Sequence, residues 1–141
     1  MEATRNLDMQ FIRYANLFNQ ITRIRTNHCF EYNNTVIFVV PKSLIARSIG
    51  PNNINLEKLS SIIRKKVKVI SIPKDKTDLE NFVSILVRPI RIKGIEIKED
   101  EAVISTNPQS KASLIGRGKL RLAEMENILG QYFGVRKVRI K

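Results

Sequence analysis

The chain carries one pattern twice. Gly50-Pro51-Asn52-Asn53 lies between two short apolar-periodic stretches, and Gly116-Arg117-Gly118-Lys119 lies in the same setting 66 positions later. The preceding residues match as Ile45-Ala46-Arg47-Ser48-Ile49 and Lys111-Ala112-Ser113-Leu114-Ile115. After the loop the same offset pairs Leu56 with Leu122, Leu59 with Met125, Ile62 with Ile128 and Ile63 with Leu129. A glycine anchor and four core-type positions that keep one offset mark an internal duplication. The chain therefore has to build two equivalent units, placed at 1–73 and 74–141. Units of roughly 70 residues lie near the lower size limit for an independent core, so they are expected to pack against each other.

Each copy reads as αββααβ. In the first, Leu7, Phe11, Tyr14, Phe18 and Ile21 recur at helical spacing and predict an amphipathic helix with its aromatics toward the core. Phe30-Glu31-Tyr32 and Val36-Ile37-Phe38-Val39-Val40 flank Asn33-Asn34, the signature of a tight hairpin, since Asn tolerates positive φ. Helices are predicted at 43–49 and 54–64 on either side of the glycine loop, and Val67-Lys68-Val69-Ile70 alternates as a third strand.

In the second copy Thr77-Asp78-Leu79-Glu80 has capping-box spacing. Leu79, Phe82, Val83 and Leu86 supply the apolar face of the helix that follows, which Pro89 stops. Ile90 and Ile92 alternate, and Ile95 and Ile97 resume out of phase, which predicts a strand with a bulge at Gly94. Lys98 to Glu101 reads as a turn and 102–105 as the return strand. Helices at 109–115 and 119–133 and a closing strand at Lys137-Val138-Arg139-Ile140 complete the unit. The fold class is α+β: two repeated units, each a three-stranded sheet covered by helices, joined by a short linker near Ile72 to Lys76.

Charge narrows the partner. Lys and Arg number 25 against 13 Asp and Glu, a net charge of +12. The excess is +7 over residues 1–73 and +5 over 74–141, so both units attract polyanions. The longest unbroken aliphatic and aromatic run is Val36 to Val40, far short of the roughly 20 residues of a spanning helix. A membrane partner is therefore not expected. Met1 to Asn6 contains no basic segment followed by an apolar one, so a cytoplasmic location is expected.

Catalysis and metal chemistry find no support in the residue pattern. The one histidine, His28, adjoins the one cysteine, Cys29, and a tetrahedral site there would have to recruit distant carboxylates. Cys29 reads as a small core residue at a strand start, and a single cysteine fits a reducing compartment. Glu96, Glu99, Asp100 and Glu101 cluster in the second hairpin as solvated charges. The expectation is a protein without enzymatic activity, cofactor, metal or small-molecule substrate.

A helix that follows a glycine loop presents unpaired backbone N–H groups and its positive dipole end, an arrangement suited to a phosphate. Gly50 lacks the Cβ that would limit close approach. Asn53 stands where a second glycine would otherwise sit, and Asn accepts left-handed backbone. The second loop carries Gly116 and Gly118 and adds the cations Arg117 and Lys119. Arg47 and Arg121 flank the two loops. Tyr32, Phe38, Tyr132 and Phe133 are assigned to the core rather than to base stacking.

A loop of this kind at the junction of the two adjacent helices of an αββααβ unit, present twice in a basic chain, resembles tandem KH domains of the type II topology. Over nearly all of its length the chain is similar to the archaeal NusA-like proteins. The residues that carry this are Phe11-Ile12-Arg13-Tyr14, His28-Cys29, Val36 to Val40, Ser48-Ile49-Gly50, Leu114-Ile115-Gly116 and Tyr132-Phe133-Gly134-Val135. The family loop runs close to Ile-Gly-Lys-Gly-Gly-x-Asn-Val. This chain keeps Ile49-Gly50 and Asn55-Leu56 but has Pro51, Asn52 and Asn53 between them, and Lys119 replaces a family glycine in the second loop.

The resemblance implies single-stranded RNA binding, with the backbone of about four nucleotides clamped at each loop. It carries RNA contact to Gly50, Pro51, Asn52, Asn53, Gly116, Arg117, Gly118 and Lys119, with Arg47 and Arg121 alongside. It further implies a role in transcription elongation or termination near RNA polymerase. Two other readings stand beside it: a ribosome-assembly or rRNA-binding KH protein, and a protein-interaction module whose altered loops have lost RNA.

Overall fold

The computed structural model describes residues 5–26 and 28–141, and side chains from Met9 onward. Met1 to Thr4, Asn27 and the side chain of Leu7 lie outside the described residues, so the first position of the aromatic stripe lies outside them too. The chain divides into two compact units, Met1–Ile72 and Pro73–Lys141.

In the first unit, helix α1 (Arg5–Thr22) precedes strands β1 (Cys29–Tyr32) and β2 (Thr35–Val40). Helices α2 (Ile45–Ile49) and α3 (Ile54–Ile63) and strand β3 (Lys66–Ser71) follow. The stripe on α1 is a core stripe. Phe18 is fully buried, its ring stacks on Phe38 at a centroid distance of 4.4 Å, and Tyr14, Leu17 and Ile21 pack around it. The helix stops where the Thr22 hydroxyl donates to Phe18 O and accepts from Ile24 N, while Arg23 takes φ +64°. Ile24 then turns back into the core.

Asn33 and Asn34 adopt φ +51° and +59°, the primed turn that matches the twist of the flanking strands. β1 pairs antiparallel with β2, Cys29 opposite Phe38 and Tyr32 opposite Thr35. β2 pairs parallel with β3, Thr35 opposite Lys66 and Val40 opposite Ser71, so the sheet order is β1-β2-β3. Val36, Phe38 and Val40, alternate residues of β2, meet Leu59 of α3 in one cluster. Each such side chain contributes about 1.5–3 kcal/mol of burial.

The second unit repeats the order with α4 (Leu79–Leu86), β4 (Gly94–Lys98), β5 (Glu101–Ser105), α5 (Pro108–Ile115), α6 (Leu120–Phe133) and β6 (Lys137–Ile140). β4 pairs antiparallel with β5 and β5 pairs parallel with β6, the same sheet topology. Leu79, Phe82, Val83 and Leu86 are all buried, as their spacing predicts. α6 is 14 residues against 10 for α3. The four extra residues are about one helical turn, and they separate the repeats only after the loop.

Two local expectations fail. Ile90 and Ile92 are not in a strand: Ile90 N donates to Val87 O in a turn, and β4 begins at Gly94, which starts the strand instead of bulging it. The partner runs out. Beyond Ser105 the chain turns into α5, where Asn107 Oδ1 caps Ser110 N and Pro108 takes the first turn, and the Thr106 hydroxyl donates to Arg91 O in place of a ladder bond. The capping box at Thr77 is also absent. Asp75 caps a 3-10 turn by accepting from the Thr77 N–H and hydroxyl, and α4 grows from that turn without a side-chain cap of its own. The Asp75 carboxyl is fully exposed, and those two hydrogen bonds lower its pKa.

Candidate nucleic-acid interface

The duplication holds down to backbone torsions in the two loops. Gly50 has φ +79°, ψ 166°, and Gly116 has φ +77°, ψ 171°. Asn52 at φ +55°, ψ 32° matches Gly118 at φ +60°, ψ 23°. Asn53 at φ +60°, ψ 24° matches Lys119 at φ +61°, ψ 21°. Three positive-φ residues among four are costly for L-amino acids, yet the two loops adopt them with different residues. Asn covers two of the positions in the first loop; Gly118 relieves one in the second, and Lys119 carries the other.

The hydrogen bonds repeat as well. Gly50 N closes α2 on Ala46 O at 3.0 Å, and Gly116 N closes α5 on Ala112 O at 3.1 Å. Asn53 N reaches Gly50 O and Lys119 N reaches Gly116 O, both at 3.2 Å. A side chain then braces each loop from the next helix: Asn55 Nδ2 donates to Arg47 O, and Arg121 Nη1 donates to Ser113 O, both at 3.4 Å. Both donors and both acceptors obey the offset of 66. Sequence reasoning placed Arg121 among the phosphate contacts. Its side chain is half-buried and one of its N–H groups is turned back onto the end of α5, so it holds the loop's shape. The offset itself, read through Asn55, could have found this brace.

The glycines divide by role. A Cβ on Gly116 would stand 2.7 Å from Arg121 Cβ and 3.0 Å from Arg121 N; on Gly50 it would meet Asn55 Nδ2 at 2.9 Å. Those two are required for the helices to approach. A Cβ on Gly118 meets nothing within 4 Å, so what glycine supplies there is left-handed backbone on an open surface. Gly50 and Gly116 are thus helix C-caps and loop anchors together.

Arg117, Gly118 and Lys119 are exposed, as are Pro51, Asn52, Asn53 and Arg47. Among the described residues no carboxylate pairs with Arg117 or Lys119. By contrast Arg136, just before β6, faces Asp100 at 3.8 Å, and Arg139 within β6 faces Glu101 at 3.5 Å. In the first unit Lys65 pairs with Glu31 at 2.9 Å. Pro51 has no N–H, so the first loop offers one backbone donor fewer than the second at the matching position.

The aromatics stay inside. Tyr32, Phe38 and Phe133 are buried, and Tyr132 and Phe133 contact the ring of Phe82 at 5.5 and 5.4 Å. Cys29 packs on the first core, and burial, with Glu31 second, pushes its thiol up to about 12. Among the described residues no group of three or more His, Cys, Asp or Glu side chains is placed to hold a metal, and no helix is long and apolar enough to cross a membrane.

Fold and loops together define an α+β protein of two repeated units, each presenting one braced helix–loop–helix junction. No protein-family model matches the chain. Similar proteins do exist: the probable transcription termination protein NusA of Thermoplasma acidophilum is 22% identical over 139 residues, covering 96% of this chain and 94% of that one. The protein of the same name from Methanococcus vannielii is 22% identical over 138 residues, 95% of this chain and 78% of that one. The crystal structure of APE1850 superposes with a TM-score of 0.67 at 28% identity, covering 94% of this chain and 99% of its own. Over nearly its whole length the chain is thus similar to archaeal proteins named as probable NusA.

Proposed function

We propose that this protein is a single-stranded RNA-binding transcription factor of the NusA type, built of two KH domains of type II topology, that acts in elongation or termination with RNA polymerase nearby. One observation carries the reading: two loops with matching torsions, hydrogen bonds and braces occupy the same junction in both units of a chain with net charge +12. The names of the two NusA relatives support transcription as the setting.

In this mechanism no bond is made or broken. The loop backbone lies open where Arg117, Gly118 and Lys119 are exposed, so a phosphodiester can approach the Arg117 and Gly118 N–H groups while both side chains add positive charge. The braces from Asn55 and Arg121 keep the loops formed before RNA arrives, which lowers the ordering cost of binding.

The test is anisotropy with labelled single-stranded RNA, single-stranded DNA and duplex RNA at physiological salt. Single-stranded RNA binds at least as tightly as DNA and more tightly than duplex, because a groove around unpaired backbone outweighs the denser charge of a duplex. Neutralising about four to six phosphates gives a log–log salt slope near −3 to −4. Equal or tighter duplex binding overturns the groove, and a slope near zero favours a protein-interaction module. Crosslinking in native cells then separates settings: recovery spread over nascent transcripts supports transcription, while recovery confined to rRNA supports ribosome assembly.

A further inference from the structure

The repeat relates a second pair of basic segments, the connectors that lead from the first helix of each unit into its sheet. Ile24-Arg25 and Ile90-Arg91 keep the offset of 66. Both connectors are tied to the same repeat position of the central strand: the Thr26 hydroxyl donates to Val39 O, and the Lys93 N–H donates to Ser105 O, each at 2.7 Å. The Thr106 hydroxyl adds a bond to Arg91 O at 3.2 Å, so backbone groups and threonines hold these segments and the cations do not. Burial sorts the side chains. Ile24 is buried and Ile90 and Ile92 are half-buried, whereas Arg23, Arg25, Arg88, Arg91 and Lys93 are exposed. Ile90-Arg91-Ile92-Lys93 therefore turns isoleucine inward and cation outward without a strand partner. Among the described residues no carboxylate pairs with any of these five cations, whereas Arg136 and Arg139 each have one.

The composition of the patch selects its partner. Among the described residues, none of the exposed large apolar side chains falls in either connector. A protein interface is built around buried apolar anchors, while contact to a nucleic-acid backbone is made largely by cations. We propose that the two connectors are phosphate contacts for single-stranded RNA outside the glycine loops, so that each unit holds a longer stretch of strand than its loop clamps. The inference rests on the RNA-binding reading above and extends the site. Separation requires the connectors to have phosphates of their own. The second connector is tied at Ser105 and Thr106, the loop begins at Gly116, and α5 between them has 8 residues, a length of about 12 Å. The Debye length at physiological salt is about 8 Å, so cations at one end of α5 contribute little to a phosphate at the other. A strand that ends at the loop gains nothing from them, and a backbone contact carries no base preference.

The experiment compares single-stranded RNA of about four nucleotides, the length one loop clamps, with RNA of about twelve, by anisotropy over a range of salt concentrations. Arg91→Gln with Lys93→Gln keeps both backbone hydrogen bonds of the connector. On the longer RNA this variant makes the log–log salt slope shallower by about 1.4 and lowers affinity about tenfold at physiological salt, since each lost phosphate contact removes about 0.7 from the slope. On the shorter RNA slope and affinity stay at the wild-type values. Arg25→Gln acts in the same direction, with a change in slope of about 0.7. Lys98→Gln removes an exposed cation at the far end of β4 and leaves the slope unchanged, which separates contact from net charge. Thermal melting of each variant checks the fold. Equal loss on both lengths, a change for Lys98→Gln as large as for Arg25→Gln, or no loss on the longer RNA overturns the connector contact. No loss on RNA together with weaker binding to an acidic protein overturns it in favour of a protein-facing surface. Failure of the wild-type protein to bind either length removes the RNA-binding reading itself, which keeps the two failures distinct.

Discussion

Replacing Gly116 with alanine tests whether the second loop is held by backbone geometry. At φ +77°, ψ 171° the residue lies in a region essentially reserved for glycine, where an L-residue costs about 1–3 kcal/mol. The new Cβ would stand 2.7 Å from Arg121 Cβ and 3.0 Å from Arg121 N. Relief requires the first turn of α6 to move, because the obstacle includes backbone. Strain and overpacking together put Gly116→Ala at about 3 kcal/mol, a large part of the total stability of a unit this size. Gly50→Ala carries the same torsional strain, but its Cβ meets Asn55 Nδ2 at 2.9 Å and Ile54 Cγ2 at 3.0 Å, side-chain ends that can rotate. About 2 kcal/mol is expected there. Gly118→Ala sits in ordinary left-handed space with nothing near its Cβ and costs about 1 kcal/mol. Urea unfolding followed by circular dichroism measures the totals. Amide hydrogen exchange assigns the loss to a unit, since a chain of two units need not unfold in one step. Protection should fall in β5, β6 and α6 for Gly116→Ala and persist in β2 and β3. The reasoning is refuted if Gly118→Ala costs as much as Gly116→Ala, or if the latter costs less than about 0.5 kcal/mol.

The second loop should be the stronger RNA contact, because it has two cations and one more backbone donor than the first. Arg117→Asp with Gly118→Asp should lower affinity at least about tenfold, more than Pro51→Asp with Asn52→Asp, with both proteins folded by circular dichroism; the reverse order would sink the ranking. Arg117→Ala with Lys119→Ala should make the salt slope shallower by about 1.4, read from anisotropy at several salt concentrations, and an unchanged slope would show that neither cation meets a phosphate. For Cys29, burial and then the charge of Glu31 push the folded thiol up to about 12 from an ordinary 9.0. The neutral thiol is thus favoured by the fold: its stability contribution is complete below pH 9 and is lost as the pH rises from 9 to 12. Thiol-reagent labelling should be slow at pH 8 in the native protein and fast in urea, and Cys29→Ala should lack that part of the alkaline decline; equal labelling rates in the two states would contradict the burial of the thiol.

Much of this architecture was readable because it depends on local periodicity. The α1 stripe, the Asn33-Asn34 hairpin and the two helix–loop–helix junctions each follow from spacing or from residues that tolerate positive φ. The offset of 66 predicted that whatever one loop does the other would match, and torsions, hydrogen bonds and braces all keep it. Local pattern failed where a neighbour had the decision. Ile90 and Ile92 alternate like a strand, but a strand needs a partner, and β5 has already turned at Thr106 toward the α5 cap. Thr77 and Glu80 have capping-box spacing, but Asp75 reaches the Thr77 N–H first and starts a 3-10 turn.

The same division runs through the site. Sequence alone determined that two glycine-anchored, basic junctions exist and where they fall, because chain-local torsions and composition are written in the residues themselves. Only the tertiary structure decided that Arg121 braces its own loop while Lys119 stays exposed, and that Ile62 is exposed while its counterpart Ile128 is buried. It likewise decided that Gly116 is needed for helix approach while Gly118 faces open space. Each of these depends on which atoms from other turns of the chain lie within a few ångströms, and a one-dimensional pattern does not contain that distance.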